Sequence, residues 1–528
     1  MSRPLTTVRA VVWREARSST IIITVLIAAV IEVGLRSFVA SGGAVGMLAL
    51  QPLVQNPAVA ALYGRVANLD TGGVFVVWKM GAFMLLMVAV WSALLATRLT
   101  RAHEDDGSWD VLVIGRRDRG SVLRTTTLIL ALSVVVVAMV SGLVLLAGGQ
   151  SAAGSAYFAL GVLATGWSGA AIGLLAAQFV APRRSASQAA IAIIIAAFFV
   201  RMVADSTVST EWLRDVTFFG WVEKIGAFQH ANPLALVPAL VGPMVIAVVV
   251  VILQGRRDAG GALWTHPDSA PPQPFLLGSA WTFAWRERSS VWRWWTGGLA
   301  IFGGILGYLT HALVSLAQTD PGYVALLKRF GYGAMVTGVG FVALVTAAIS
   351  VAFTYLVFTW IATVASDEVK GRLDVALATG PRRLTWLASV LASGLLAVVV
   401  AAGVTTLSMW LGVRLSGTPM SLSTVFKAIA SSLGLVPFIV GVALWLVGRL
   451  PRSSFVVGSV FILVAYVVQA LGPILKWPNW ALACDPFHYI RAVPVQPVDL
   501  TGLAWVSVVG AGIGALGLWR YSRRDVVG

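Results

Sequence analysis

The stretch LALVPALVGPMVIAVVVVIL, residues 234–253, runs for twenty residues without a charge. As a helix it rises about 30 Å, the depth of a bilayer's hydrocarbon core. QAAIAIIIAAFFV, residues 188–200, is a second run of the same kind. Neither alternates apolar with polar residues, as the strands of a membrane barrel would. Such runs recur along all 528 residues: 58% of the chain is hydrophobic and 11% charged. Soluble domains are about a quarter charged, and their cores cannot absorb this much apolar sequence. The reading is an all-α polytopic membrane protein. Twelve spans are expected, at roughly 20–38, 72–96, 122–148, 155–180, 188–205, 234–254, 295–315, 335–363, 385–412, 423–448, 455–471 and 501–519.

A net charge of +16 would suit nucleic-acid binding. Its distribution argues otherwise. With both termini cytoplasmic, roughly two-thirds of the Lys and Arg fall in segments on the inner side, the ordinary positive-inside bias. No nucleic acid is needed to explain it. Cys484 is the only cysteine, so no disulfide forms within the chain. The first apolar run follows amphipathic sequence and reads as a retained anchor. Ala, Val, Gly and Arg usage suits a high-GC bacterium, and the expected location is the bacterial plasma membrane.

Short markers recur in order. WREARSS, from Trp13, precedes the first run, and WRERSS, from Trp285, precedes the seventh, 272 residues on. EDDGSWD, from Glu104, and EVKGRLD, from Glu368, share Glu-x-x-Gly-x-x-Asp at an offset of 264. An Arg pair follows each, Arg116–Arg117 and Arg382–Arg383. FFGWVEK, from Phe218, resembles PFHYIRA, from Pro486, at an offset of 268. Three ordered markers imply two homologous six-span halves. The domains are 1–254, a cytoplasmic Gly- and Pro-rich linker at 255–279, and 280–528.

Leu5, Val8, Val12 and Ala16 share one side of a helix, with Arg14 and Arg17 turned away. Trp281, Trp285 and Trp292 form a stripe in the second copy, beside Arg286. Trp and Arg favour the headgroup layer, so each half is expected to begin with an interfacial amphipathic helix bearing Trp13 and Arg14, or Trp285 and Arg286. The Glu-x-x-Gly-x-x-Asp loops leave room for one short helix, with exposed acids able to pair with a partner's Lys or Arg. Gly107 and Gly371 would permit close backbone approach.

Leading helix, two spans and a cytoplasmic E-x-x-G-x-x-D…RR loop together resemble the permeases of type-2 ABC exporters. The fused double form resembles the polyketide-antibiotic or tetronasin exporter permeases, and FFGWVEKIGAF is similar to their outer segment before span six. The resemblance covers nearly the whole chain. It implies that the acidic loops form coupling helices seated in a cleft of the ATPase, which carries over to Glu104, Gly107, Asp110, Glu368, Gly371 and Asp374. The copies differ: Asp105–Asp106 add acid to the first, and Lys370 and Arg372 add base to the second. No Gly-x4-Gly-Lys-Ser/Thr phosphate loop occurs. The expectation is therefore no cofactor on this chain, ATP and Mg on a separate ATPase present in two copies, and a chain that is a transporter subunit and not an enzyme.

Charges at membrane depth are costly and are usually paired or cavity-facing. Glu32 and Lys79 are candidates for a lined pathway. Arg201–Asp205 reads as a local pair. Aromatic residues gather in spans two, five, eight and eleven, among them Phe75, Trp78, Phe198, Phe199, Tyr355, Trp360 and Tyr466. Such a route suits a hydrophobic small molecule, though packing alone explains any one of them. Two other functions stay open. GRRDRG, from Gly115, sits where ion-coupled carriers with six-plus-six symmetry keep a Gly/Asp/Arg motif. Asp105, Asp106 and Asp110 could hold Mg²⁺ in a membrane prenyltransferase-like enzyme. That would need a facing acidic cluster, and Asp367, Glu368 and Asp374 beside Lys370 and Arg372 fill the need poorly, so no metal ligand is assigned.

Overall fold

A computed structural model of the chain describes residues 4–48, 51–54, 57–105, 107, 119–206, 208–255, 263, 275–276, 278–319, 324, 333–369, 371–378, 382–471 and 478–524. Among these residues no strand occurs. They divide into two units, Met1–Ala270 and Pro271–Gly528.

The first unit holds α1 (Pro4–Ala40), α2 (Gly72–Asp105), α3 (Arg119–Ala147), α4 (Ala152–Phe179), α5 (Arg183–Ser206), the short α6 (Phe218–Glu223) and α7 (Leu236–Gly255). Helix α4 lies at the centre, against α2, α3, α5 and α7. Its small residues allow this. A Cβ on Gly169 would stand 2.3 Å from the Ala89 carbonyl oxygen of α2, and one on Gly173 would stand 2.6 Å from that of Ala93. The two backbones therefore touch. Helix α2 contains a π-helical turn, Val77–Gly81.

The interfacial helix expected ahead of span one is not a separate element. Helix α1 is continuous for 37 residues. Nothing breaks it: Ser19 and Thr20 donate back to the Ala16 carbonyl and do not cap a new helix. Val8, Val12 and Ala16 form the expected stripe, but they are buried against Leu95, Leu99, Val122 and Leu174 of their own unit.

The second unit holds α8 (Ala280–Glu287), α9 (Ser289–Thr319), α10 (Gly338–Val369), α11 (Arg372–Ala378), α12 (Arg383–Leu415), α13 (Leu422–Ser432), α14 (Val436–Arg449), α15 (Ser454–Leu471) and α16 (Leu500–Arg523). Here α8 is a distinct helix, opened by a capping box between Ser279 and Thr282 and closed at Arg288. Helix α10 is central, touching α9, α12, α13, α14 and α15. The tenth expected span is two helices. Pro437 has no N–H to continue the ladder, and the chain turns through Leu433–Leu435.

Ten helices are long and apolar enough to cross a membrane among the described residues, against the twelve spans expected. The seventh and eleventh expected spans are helical, as α9 and α15, but fall outside that set. In α15 the apolar stretch is Ser454–Tyr466, short of a full crossing.

Helices α14 and α16 meet glycine to glycine. A Cβ on Gly441 would stand 1.9 Å from the Gly510 carbonyl oxygen, and one on Gly448 would stand 2.4 Å from that of Gly517. Gly441→Ala must push backbone against backbone and should cost about 1–3 kcal/mol or more. Gly512 has nothing within 4 Å of such an atom. Gly512→Ala should be neutral or stabilise slightly, because alanine is the better helix former. Thermal unfolding of the detergent-solubilised protein separates the two.

Candidate functional site

The two acidic loops share the turn at their glycines. Gly107 N–H donates to the Glu104 carbonyl at 3.2 Å, and Gly371 N–H donates to that of Glu368 at 3.0 Å. Gly107 has φ +67° and Gly371 φ +69°. Glycine is required there by the left-handed turn that ends each helix. Among the described residues nothing lies within 4 Å of a Cβ built at either position.

The two glutamates are not exposed as the sequence reading expected, whereas Asp105 and Asp374 are. Glu104 accepts from Arg101 Nη1 at 2.6 Å. Arg101 is itself 1% exposed and gives its Nε–H to the Ala177 carbonyl of α4 at 2.8 Å. Asp105 accepts from the Arg183 backbone N–H at 2.8 Å and so satisfies the first turn of α5. His103 Nε2 lies 3.1 Å from Glu15. Asp106, Asp110 and Arg116–Arg117 lie outside the described residues, as do Lys370 and most of the predicted linker.

In the second unit Glu368 is wholly buried. It accepts from Arg383 Nη2 at 3.1 Å, and from Arg524 Nη1 at 2.5 Å and Nη2 at 2.7 Å. Its neighbour Asp367 accepts from Arg288 Nη2 at 2.8 Å. Arg288 occupies the break between α8 and α9 and also donates to Thr363 and Glu287. A buried carboxylate must be neutralised where it stands, and both loops do so from within. What α11 leaves exposed is Arg372 and Asp374, while Leu373 anchors it in the core.

The other end of the first unit carries a second charge cluster. Asp205, wholly buried, faces Arg201 at 3.5 Å and Arg214 at 2.6 Å. Arg201 also donates to the Ala61 and Leu62 carbonyls, and Arg65 donates to the Asp205 carbonyl. The pair read as local is therefore the hub of a network tying α5 to the 61–65 segment, at the end of the short helix Pro57–Tyr63, and to the 208–216 segment. Beside it lies a cavity of about 120 Å³ lined in part by Tyr63, Trp78, Tyr157, Arg201, Phe219 and Glu223. The π-helical turn puts Val77, Trp78 and Gly81 on its wall.

Of the expected pathway residues, Phe75, Trp78 and Phe198 join one chain of ring contacts. It runs from Phe38 through Phe75, Trp78, Tyr63, Phe83 and Phe198 to Phe219, with centroids 5.4–6.4 Å apart. Lys79 Nζ lies over Phe75 at 5.2 Å. Phe199 is half-buried outside that chain. Glu32 is elsewhere, exposed and paired with Arg36 at 2.6 Å. In the second unit Trp360 is a core residue, its Nε1–H bonded to the Val390 carbonyl. Tyr355 meets Ser459, and Tyr466 is exposed. Trp285 stacks on Trp292 at 4.9 Å, Arg286 donates to the Phe275 carbonyl, and Trp13 and Arg14 are exposed on α1.

The third pair of markers also matches locally. Thr217 accepts from Gly220 N–H, and Asp485 from Phe487 N–H, each capping a short helix. Phe219 and Phe487 are both buried. Burial lifts the Asp485 carboxyl to about 6, against the opposing bond from Phe487.

Sequence reading missed Arg101, Arg288, Arg524, Arg214 and Glu223. Arg101 was legible as an i, i+3 partner of Glu104. Arg214 was legible in the same way beside Glu211, whereas Arg288, Arg524 and Glu223 contact residues far away in the chain and looked like ordinary flanking charge.

A family described as multidrug efflux system permease Rv1217c, C-terminal domain, matches residues 277–522. The multidrug efflux system permease protein Rv1217c of Mycobacterium tuberculosis (strain ATCC 25618 / H37Rv) is 28% identical over 494 residues, which is 90% of this chain and 86% of that protein. Together with the ten apolar helices, this marks the chain as a multi-pass membrane protein.

Asp205→Asn leaves two buried guanidinium groups short of their anion and should destabilise by about 3–5 kcal/mol. Asp215→Asn removes a largely exposed pair with Lys224 and should cost at most about 1 kcal/mol. Thermal unfolding in detergent compares them. For Asp485, a raised folded pKa means that its contribution to stability is full below the ordinary carboxyl value of 3.8 and is lost as pH rises through about 6. Proteolysis of the 478–499 segment should speed up across that window, and Asp485→Asn should abolish the dependence.

Proposed function

We propose that this chain is the membrane-spanning permease subunit of an ATP-driven ABC exporter that expels hydrophobic drugs. Its energy comes from two copies of a separate ATPase, which carry the ATP and Mg. The observation that carries the reading is the repeated turn. In each unit a long helix ends on a left-handed glycine three residues after a clamped Glu, and the second turn leads directly into a short anchored helix, α11, with charged residues outward. That is a rigid ledge at a helix end, the form a part must have if it transmits force from a motor. Glu104, Gly107, Glu368 and Gly371 shape the ledges from inside. Asp374, with Arg372, faces the ATPase in the second, and Asp110 keeps the role that the sequence resemblance implies for it in the first.

The likeness to a multidrug efflux permease supports export of drugs. The recurring markers, with Thr217 and Asp485 as matching caps, support two homologous six-span halves and twelve spans in all. Inward-biased Lys and Arg support cytoplasmic termini in a bacterial plasma membrane. Membrane lipid surrounds the spans, and Trp13 and Arg14 meet its headgroups.

One copy of the chain should co-purify with two of the ATPase, and efflux should persist when the proton gradient is collapsed at constant ATP. Arg372→Glu with Asp374→Lys should lower efflux about ten-fold with the amount of chain in the membrane unchanged. Efflux that stops with the proton gradient while ATP is held would assign the chain to the ion-coupled carriers instead.

A further inference from the structure

We propose that Arg524 is a positioning residue for the second coupling ledge: with Arg383 it clamps Glu368 and so fixes the Gly371 turn and α11. The proposal rests on the coupling role given above and adds to it a residue from a distant helix end.

Arg524 lies one residue past α16, its N–H bonded to the Arg520 carbonyl. Its two terminal nitrogens reach the two oxygens of Glu368 separately, at 2.5 and 2.7 Å. This is the forked geometry that fixes orientation as well as charge. Nη2 also donates to the Val447 carbonyl of α14 at 3.1 Å. Arg383, at the start of α12, donates to Glu368 at 3.1 Å and to the Arg524 carbonyl at 2.8 Å. Both guanidinium groups lie over the buried Tyr521 ring, at 4.0 and 5.5 Å. Four helices, α10, α12, α14 and α16, thus converge on one carboxylate with no exposed surface. Three residues on, Gly371 makes the turn into α11, and its N–H is bonded to the carbonyl of that same Glu368. Whatever fixes Glu368 sets where α11 points.

The first ledge is braced by other residues. Its Glu104 is held by Arg101 of the same helix. The ledges therefore differ in how they are braced, and loss of Arg524 affects only the second.

The test uses the full chain in lipid nanodiscs, alone and with the partner ATPase. Arg524→Ala should speed hydrogen exchange at Gly371 and through Arg372–Ala378 by about ten-fold, leave Gly107 unchanged, and lower transport per ATP hydrolysed. Arg524→Lys keeps the charge but loses the fork and should fall between, and it carries the test if the alanine variant does not accumulate. Arg523→Ala, whose side chain lies over Trp519, should behave as the parent. Unchanged exchange at Gly371 overturns the clamp. Faster exchange with an unchanged ratio of transport to hydrolysis overturns the positioning role. If the parent chain shows no ATP-dependent transport, the coupling reading fails, and exchange in the chain alone still decides the clamp.

Discussion

Inside hydrocarbon a backbone N–H or C=O has no water to turn to, so each must be paired within the chain. Helices meet that demand, and everything else about the molecule is fitted around it. Lipid is as good a neighbour as leucine, so hydrophobic burial alone does not decide which helix meets which. Close backbone approach does. Gly169 and Gly173 bring α4 onto α2, Gly412 puts α12 against the Gly304 carbonyl of α9, and Gly441 and Gly448 seat α14 on α16. At each place a single methyl group would collide with main-chain atoms, which cannot swing aside as a side chain can.

Glycine contacts join helices along their lengths, and buried ion clusters join them at their ends. Asp205 gathers Arg201 and Arg214 at one end of the first unit, and Glu368 gathers Arg383 and Arg524 in the second. Such clusters add little net stability when compared with a well-packed apolar core. Their effect is discrimination. A helix end displaced by one turn would strand a carboxylate in a dry environment, so each cluster admits one arrangement of its helices.

Periodicity and length made the helices legible, because a twenty-residue apolar run has few other fates. The Glu-x-x-Gly markers were legible as repeated features, though not as helix-ending turns, since φ at Gly107 and Gly371 is set by where the helix stops. Exposure was the weaker inference. Charge in a short loop suggests solvent, and nothing near Glu368 in sequence reveals an arginine 156 residues on. The leading helix of the first unit misled for a related reason. Its amphipathic stripe was real, but amphipathicity does not say whether the apolar side meets lipid or protein, and here it meets α2 and α3. Aromatic residues were ambiguous in the same way: Trp78 faces a cavity, whereas Trp360 is core.

The two acidic turns have the same backbone and different bracing, and the difference has a consequence for assembly. Arg101 and Glu104 are neighbours on one helix, so their pair forms as soon as that helix does, and docking on α4 completes it. Glu368 is held from farther away: Arg383 lies in the next long helix and Arg524 past α16. Until α16 packs against α14 through Gly441 and Gly510, the carboxylate lacks the two bonds from Arg524. The complete clamp on Glu368 therefore requires the last helix to be in place. The glycine contact between α14 and α16 and the clamp on Glu368 then act as one unit: the first brings Arg524 within reach, and the second fixes the direction of α11.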